Sequence, residues 1–268
     1  MKIVDCFIFY NEIDMLTYRL NLLDPLVDKF ILVESTHTFA GNKKNLYYND
    51  NKGLFSQFND KIIHIIIEDF PFKFPNINYS KNEQWINENY QRNMIKLGLE
   101  EVSLEKDDII ILSDLDEIPN PTTLNKIRKG LIQVETICAL EQDLYYYNLN
   151  TLFMEKWHHS KIINYEYYLK QPLDLNSLRL LPGCKILSNG GWHLSYFGDS
   201  NFIKNKIQQA AHQEFNSDKF TNTICIENKV GNNADLFGRH QNILKIPETM
   251  NTHLPSRYKE FLGKYVLF

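Results

Sequence analysis

The sequence predicts an α/β protein with a mostly parallel central sheet flanked by helices and a more mixed, β-rich second half. Three observations predict it. Uninterrupted aliphatic runs recur through the first 114 residues, as expected of parallel strands buried on both faces. Segments with apolar residues at helical spacing lie between them, which implies βαβ units. After Pro119 the chain turns to aromatic and β-branched stretches of antiparallel character.

The elements follow in order. "KIVDCFIFY" is the first strand, and "DMLTYRLNLLDPLV" the first helix, with Met15, Leu16, Leu20 and Leu23 at helical spacing. "KFILVEST", "KIIHIIIEDF" and "DDIIILSD" are the second, third and fourth strands. Before the fourth, "NEQWINENYQRNMIKLGLEEV" predicts one helix whose apolar face is Ile86, Tyr90, Met94 and Leu97. Asn120 is the expected cap of a short helix over "PTTLNKIRKGL", with Pro121 in its first turn. "TICALEQDLYYYNLN", "KWHHSKIINYEYYLK" and "GCKILSNGGWHLSYFG" read as strands, and "NFIKNKIQQAAHQEF" as a helix starting near Asp199 and Ser200. No repeat, low-complexity tract or linker divides the 268 residues, so one domain is expected over 1–268.

Composition excludes several classes of function. A hydrophobic share of 43%, a charged share of 23% and a net charge of -4 describe a soluble globular chain without attraction to nucleic acid or anionic membrane. Asp5, Asn11 and Glu12 interrupt the N-terminal apolar run too soon for a signal peptide or membrane anchor. The four cysteines stand singly, with no C-x-x-C pair, which argues against structural zinc and fits a reducing compartment. A soluble, cytoplasmic protein is expected.

In open α/β sheets, ligands bind outside the carboxyl ends of the strands. Here those ends are polar: Tyr10, Asn11 and Glu12 after the first strand, Glu34 on the second, Glu68 and Asp69 on the third, and "SDLDE" on the fourth. Asp114, Asp116 and Glu117 repel one another, and a divalent cation with hard oxygen ligands, Mg²⁺ or Mn²⁺, resolves the conflict. The competing explanation is that Asp116 and Glu117 cap the helix after Pro119. A second constellation is "NGGWHLSYFGD": Gly190 and Gly191 permit close backbone approach, Trp192 offers a flat apolar face and His193 a metal ligand or base. A glycine bulge ahead of a core strand explains it equally. Glu34 suits a ribose hydroxyl or a solvated loop, and Arg92 a phosphate clamp or a helix-surface ion pair.

Taken in order, "DCFIFYNEIDMLTYRL", "FILVESTHTFAGNKKNLYY", "NENYQRN", "ILSDLDEIP", "LYYYNLN", "GGWHLSYFG", "HQEFN" and "DLFGR" resemble glycosyltransferase family 17, from about residue 3 to about 240. The resemblance implies a GT-A type nucleotide-sugar fold, with residues 1–119 holding the donor and 120–268 the acceptor. It implies inverting, metal-dependent transfer from UDP-GlcNAc to a glycan, with Asp114 and Asp116 as metal and diphosphate acids and Glu117 adjoining them. His193 becomes a candidate metal ligand or catalytic group, and Asn11, Glu12, Glu34 and Arg92 candidate donor contacts. The chain starts at its first strand, as in compact microbial or viral members, rather than with a membrane anchor.

An inverting transfer needs a base for the acceptor hydroxyl. Glu141, Asp143, Asp199, Glu214 and His193 are all candidates, and Asp199 is equally explained as a helix cap. Rival readings are transfer from UDP-glucose or UDP-galactose, a metal-dependent nucleotidyltransferase, and an inactive carbohydrate-binding relative. The nucleotidyltransferase should carry a Gly-rich loop after the first strand, where "YNEID" has no glycine.

Overall fold

The computed structural model describes residues 1–239 and 242–266. Strands β1 (Ile3–Phe9), β2 (Lys29–Ser35), β3 (Ile62–Ile67) and β4 (Ile109–Asp114) form a parallel sheet in the order β3-β2-β1-β4. The runs of β1, β2 and β4 are buried on both faces, as their unbroken character requires, while β3 at the sheet edge is only partly covered: Phe7 and Phe9 enter one core cluster, Cys6 and Ile8 the other. Because β2 extends the sheet on one side of β1 and β4 on the other, strand order reverses between β1 and β4. That switch point is where a crevice opens in such sheets.

Helix α1 (Ile13–Leu23) follows β1 and buries Leu16, Leu20 and Leu23 as its spacing predicts. Helix α2 (Tyr47–Asp50) is a single turn after β2. The long helix expected over 82–102 is two, α3 (Glu83–Asn93) and α4 (Ile95–Glu100), broken at Met94. Ile86 and Leu97, the expected apolar face, are exposed, while Gln84, Asn87, Gln91 and Arg92 are buried. The reason is polar demand beneath the helix. Asn87 bonds the backbone of Phe39 and Phe72, and Gln91 that of Val33.

Helix α5 (Pro121–Arg128) starts at Asn120, whose side chain accepts from the Thr122 amide at 2.9 Å. The second half is mixed, as expected. It contains β5 (Glu117–Pro119), β6 (Ile137–Tyr146), β7 (Thr151–Trp157), β8 (Lys161–Asn164), β9 (Lys185–Ser195) and β10 (Ile243–Lys245). Strand β8 joins the halves by pairing antiparallel with both β4 and β6. The stretch 156–170 is no single strand: it ends β7, forms β8 and turns into helix α6 (Tyr165–Leu169), followed by α7 (Leu175–Arg179). Helix α8 (Ser200–Gln209) is capped by Asp199.

Strand β9 runs parallel to β6 and antiparallel to β5, with His193 opposite Glu117. This pairing explains Gly190 and Gly191. A Cβ on Gly191 (φ +136°) would lie 2.0 Å from the Ile118 carbonyl oxygen, and one on Gly190 2.5 Å from the Glu141 nitrogen. The glycines admit neighbouring strands, not a ligand. No described helix is long and apolar enough to cross a membrane.

Candidate active site

The carboxyl ends of β1, β2 and β4 open into a cavity of about 480 Å³. Tyr10 and Glu12 enter it after β1, His37 and Lys44 after β2, and Asp114 and Asp116 from the end of β4. Arg179 of α7, His193 of β9, Lys206 of α8 and Trp157 of β7 also line it, as do Glu88, His159, His212 and Arg239.

Each acid of "SDLDE" meets a cation, and Arg179 is shared by Asp114 and Glu117. Arg92 Nη1 meets Asp114 Oδ1 at 2.5 Å and Arg179 Nη2 meets Oδ2 at 2.7 Å. Burial favours the neutral acid, but Arg179 and Arg92 outweigh it and hold Asp114 well below the usual carboxylate range. Asp116 accepts from Lys206 Nζ at 2.8 Å, and its other oxygen lies 3.6 Å from His193 Nε2. Burial opposes ionisation here too, and Lys206 and His193 overcome it, so Asp116 is also lowered. The Lys206 ammonium reaches Glu12 Oε1 at 3.2 Å as well. Burial would lower Lys206, yet Asp116 and then Glu12 push it above its ordinary value.

Glu117 is wholly buried. Its carboxylate accepts from Trp157 Nε1 and Arg179 Nη2, each at 2.5 Å, and from the Asp114 amide at 2.9 Å. Expected as an adjoining active-site acid, it sits beneath the cavity and shapes the loop from inside.

The structure brings Glu12, Asp114, Asp116 and His193 together, and separates the other sequence candidates from them. Glu34 does not reach the cavity: its buried carboxylate accepts from the Tyr48 and Asn49 amides at the start of α2 and meets His64. Arg92 is neither a surface ion pair nor free for phosphate, since Asn176, Asp114 and Glu88 take its three nitrogens. Asp199 is spent as the α8 cap, accepting from Phe202 N at 2.8 Å. Glu214 is exposed beside His212, and Asp143 pairs with Lys156 and His253. Glu141 faces His158 at 3.7 Å, and none of these three acids lines the cavity. Trp192 is a core residue whose Nε1 donates to the His253 carbonyl. Asn11 lines a second cavity beyond Glu12.

Four residues without a sequence-based assignment shape the site. Arg19 is fully buried and donates to the carbonyls of Asp114, Leu115 and Glu117 at 2.8–3.0 Å. Arg179, Lys206 and Trp157 line the cavity, and the Arg179 Nε is buried without a partner. A signal existed for Lys206: it stands between Ile203 and Ile207, the buried face of α8. A cation there is costly unless an acid awaits it.

Among the described residues, no group of three or more His, Cys, Asp or Glu side chains is arranged to hold a metal ion. Asp116 and His193 nevertheless fit as a two-residue seat, because cations of this class take one or two protein ligands and complete their shell with phosphate and water. Asp114, with both oxygens on arginines, does not share that seat as arranged.

The profile of glycosyltransferase family 17 matches residues 1–250. The chain belongs to glycosyltransferase family 17. It is 27% identical over 122 residues to the β-1,4-mannosyl-glycoprotein 4-β-N-acetylglucosaminyltransferases of Rattus norvegicus and Homo sapiens. That stretch covers 44% of this chain and only 22% of either relative. Among solved structures, the 4-diphosphocytidyl-2C-methyl-D-erythritol synthase of Anaerococcus prevotii aligns at TM-score 0.36 and 9% identity, over 70% of this chain and 86% of that one. A glycosyltransferase involved in glycosylating the PBCV-1 major capsid aligns at TM-score 0.30 and 8% identity, over 70% and 81%. Both likenesses are too slight to bear on function. The family 17 fold seen here is the α/β class that the sequence predicts.

Proposed function

We propose that this family 17 protein transfers a sugar, GlcNAc from UDP-GlcNAc, onto a glycan hydroxyl with inversion at the anomeric carbon. The observation that carries the reading is the facing pair Asp116 and His193 at the β1/β4 switch point, backed by the partnerless Nε of Arg179. A diphosphate needs positive donors and a cation seat, and this wall offers both. The choice of GlcNAc rests on the names of the relatives.

In this reading the donor site draws on both halves, Asp114 and Asp116 from residues 1–119 and Trp157, Arg179 and His193 from 120–268. Asp116 and His193 would hold Mn²⁺ or Mg²⁺. When bound, that cation supplies Lewis-acid neutralisation of charge on the departing diphosphate. Arg179, which lines the cavity, would donate to a phosphate oxygen. Asp114, fixed by two arginines, keeps Arg179 aimed. Trp157 presents an apolar face to the sugar.

The test is release of UDP from a panel of UDP-sugars with Mn²⁺ and then with EDTA. EDTA-sensitive turnover that prefers UDP-GlcNAc supports the reading. Preference for UDP-glucose or UDP-galactose would replace the donor. Absence of both turnover and metal-dependent UDP binding would remove the transferase reading.

A further inference from the structure

Beyond Glu12 lies a second cavity, of about 570 Å³. Among the described residues, Glu12 alone lines both cavities. The second wall carries the rings of Tyr147, Phe197 and Tyr265 and the amides of Asn11 and Asn148. Asn148 is only 2% exposed. Its Oδ1 accepts from the Asn150 amide at 2.9 Å and the Thr151 hydroxyl at 3.0 Å, which fixes the orientation of the side chain. Its Nδ2 donor is left with no partner, and so is Asn11 Oδ1.

An orphaned buried donor costs free energy unless something fills the site. One partnerless donor and one partnerless acceptor match hydroxyl groups, which both give and take hydrogen bonds. The formal charges in this wall are already engaged: Asp14 pairs with Lys264, Asp199 caps α8, and Glu12 meets Lys206. A neutral, polyhydroxylated ligand with apolar CH faces suits such a wall; a nucleotide or phosphate does not.

We propose that this second cavity is the acceptor-sugar subsite and that Glu12 is the general base between the two substrates. The proposal rests on the transferase reading above. Lys206 touches both Glu12 and Asp116, so the base stands one ammonium away from the cation seat. An acceptor hydroxyl held by Asn11 and Asn148 attacks the anomeric carbon. Its oxygen forms the new C–O bond as the bond from that carbon to the β-phosphate oxygen breaks. The hydroxyl proton passes to a Glu12 oxygen, and the bonding pair leaves with the nucleoside diphosphate. This moves Glu12 from donor contact to catalytic residue: Asp199 is taken up as the α8 cap, and Glu214, Glu141 and Asp143 line neither cavity.

Two measurements test it. The first is saturation-transfer NMR of methyl glycosides (glucoside, galactoside, mannoside and N-acetylglucosaminide) with saturating UDP, on the wild type and Asn11→Ala. Among the described residues the Asn11 side chain makes no hydrogen bond, so the variant should fold. At least one glycoside should give a signal that survives UDP and falls at least fivefold in Asn11→Ala, while calorimetric UDP affinity stays within twofold. Displacement by UDP, an equal signal in the variant, or no signal from any glycoside overturns the subsite. Glycoside binding without any UDP binding would instead fail the donor reading and leave the subsite standing. The second is Glu12→Gln, in which kcat should fall by roughly 10²–10⁴-fold with glycoside and UDP binding retained. A purely positioning Glu12 would weaken one of those bindings instead, and unchanged kcat overturns its role as base.

Discussion

Arg19 grips Asp5 with two bonds, Nη2 to Oδ1 at 2.6 Å and Nε to Oδ2 at 2.8 Å, and neither side chain is exposed at all. The pair lies directly under the acid loop. With Asp5 holding one edge of the guanidinium, Nη1 donates to the carbonyls of Asp114, Leu115 and Glu117 and Nη2 to Ser113 Oγ. The bend that presents Asp116 to the cavity is therefore fixed from below by an ion pair that no substrate reaches. Arg19→Met should cost about 3–5 kcal/mol, read as a lower urea midpoint at unchanged m-value. Adding Asp5→Leu should recover only part, because three carbonyls still lack their donor. Full recovery would mean that the pair, and not the clamp on the loop, carries the stability.

Asp116 and Glu117 are neighbours with opposite expected sensitivities. Asp116 faces the cavity, and Lys206 retains Glu12 when it is removed. Asp116→Ala should keep the thermal midpoint near wild type and lower transfer by at least about 10²-fold. A folded variant with near-normal turnover would take Asp116 out of the chemistry.

Glu117→Gln should do the reverse. The carboxylate is buried under Trp157 and Arg179, and the change removes charge from two charge-dependent contacts. A loss of about 3 kcal/mol is expected, seen as a drop in midpoint larger than for any Asp116 variant. A neutral effect on stability would contradict its role as the internal anchor.

His193 is expected to share the cation seat with Asp116. In the presence of UDP, His193→Ala should weaken Mn²⁺ binding at least tenfold, measured by the EPR signal of free Mn²⁺. Equal affinity in the variant would leave Asp116 as the sole protein ligand.

The first half of the fold was legible because three of its four strands, β1, β2 and β4, are buried on both faces, and aliphatic composition marks them. The acid loop was legible for a related reason: a strand as apolar as "IIIL" does not end in three carboxylates without cations nearby. Of those cations only Arg92 was singled out in the sequence, and for a phosphate rather than for Asp114. Arg19, Arg92, Arg179 and Lys206 come from four separate helices and meet only in three dimensions. Helix α3 misled because its buried side is polar, which periodicity in apolar residues does not register. Gly190 and Gly191 suggested a ligand, yet the close neighbours are the strands that carry Ile118 and Leu140. Trp192 drew attention as a stacking face, whereas Trp157, in a stretch read as strand, is the tryptophan beside His193.

Lys44 gives the site a pH dependence whose two signs can be separated. It lines the first cavity with its ammonium 3.8 Å from Glu34 Oε1 and over the rings of Tyr10 and Tyr47. Burial lowers it from 10.5 to about 8, against the opposing pull of Glu34 and Glu12. The folded value lies below the unfolded one, so the ammonium opposes folding at low pH. That penalty fades as pH rises from about 8 towards 10.5, and Lys44 contributes rising stability across this window. An anionic donor prefers the charged form, so donor affinity should fall over the same window. In the wild type the donor KM should therefore rise above pH 8, its urea midpoint should gain on that of Lys44→Met across the window, and Lys44→Met should flatten the KM profile. A wild-type KM that stays level across the window would remove Lys44 from the donor's surroundings.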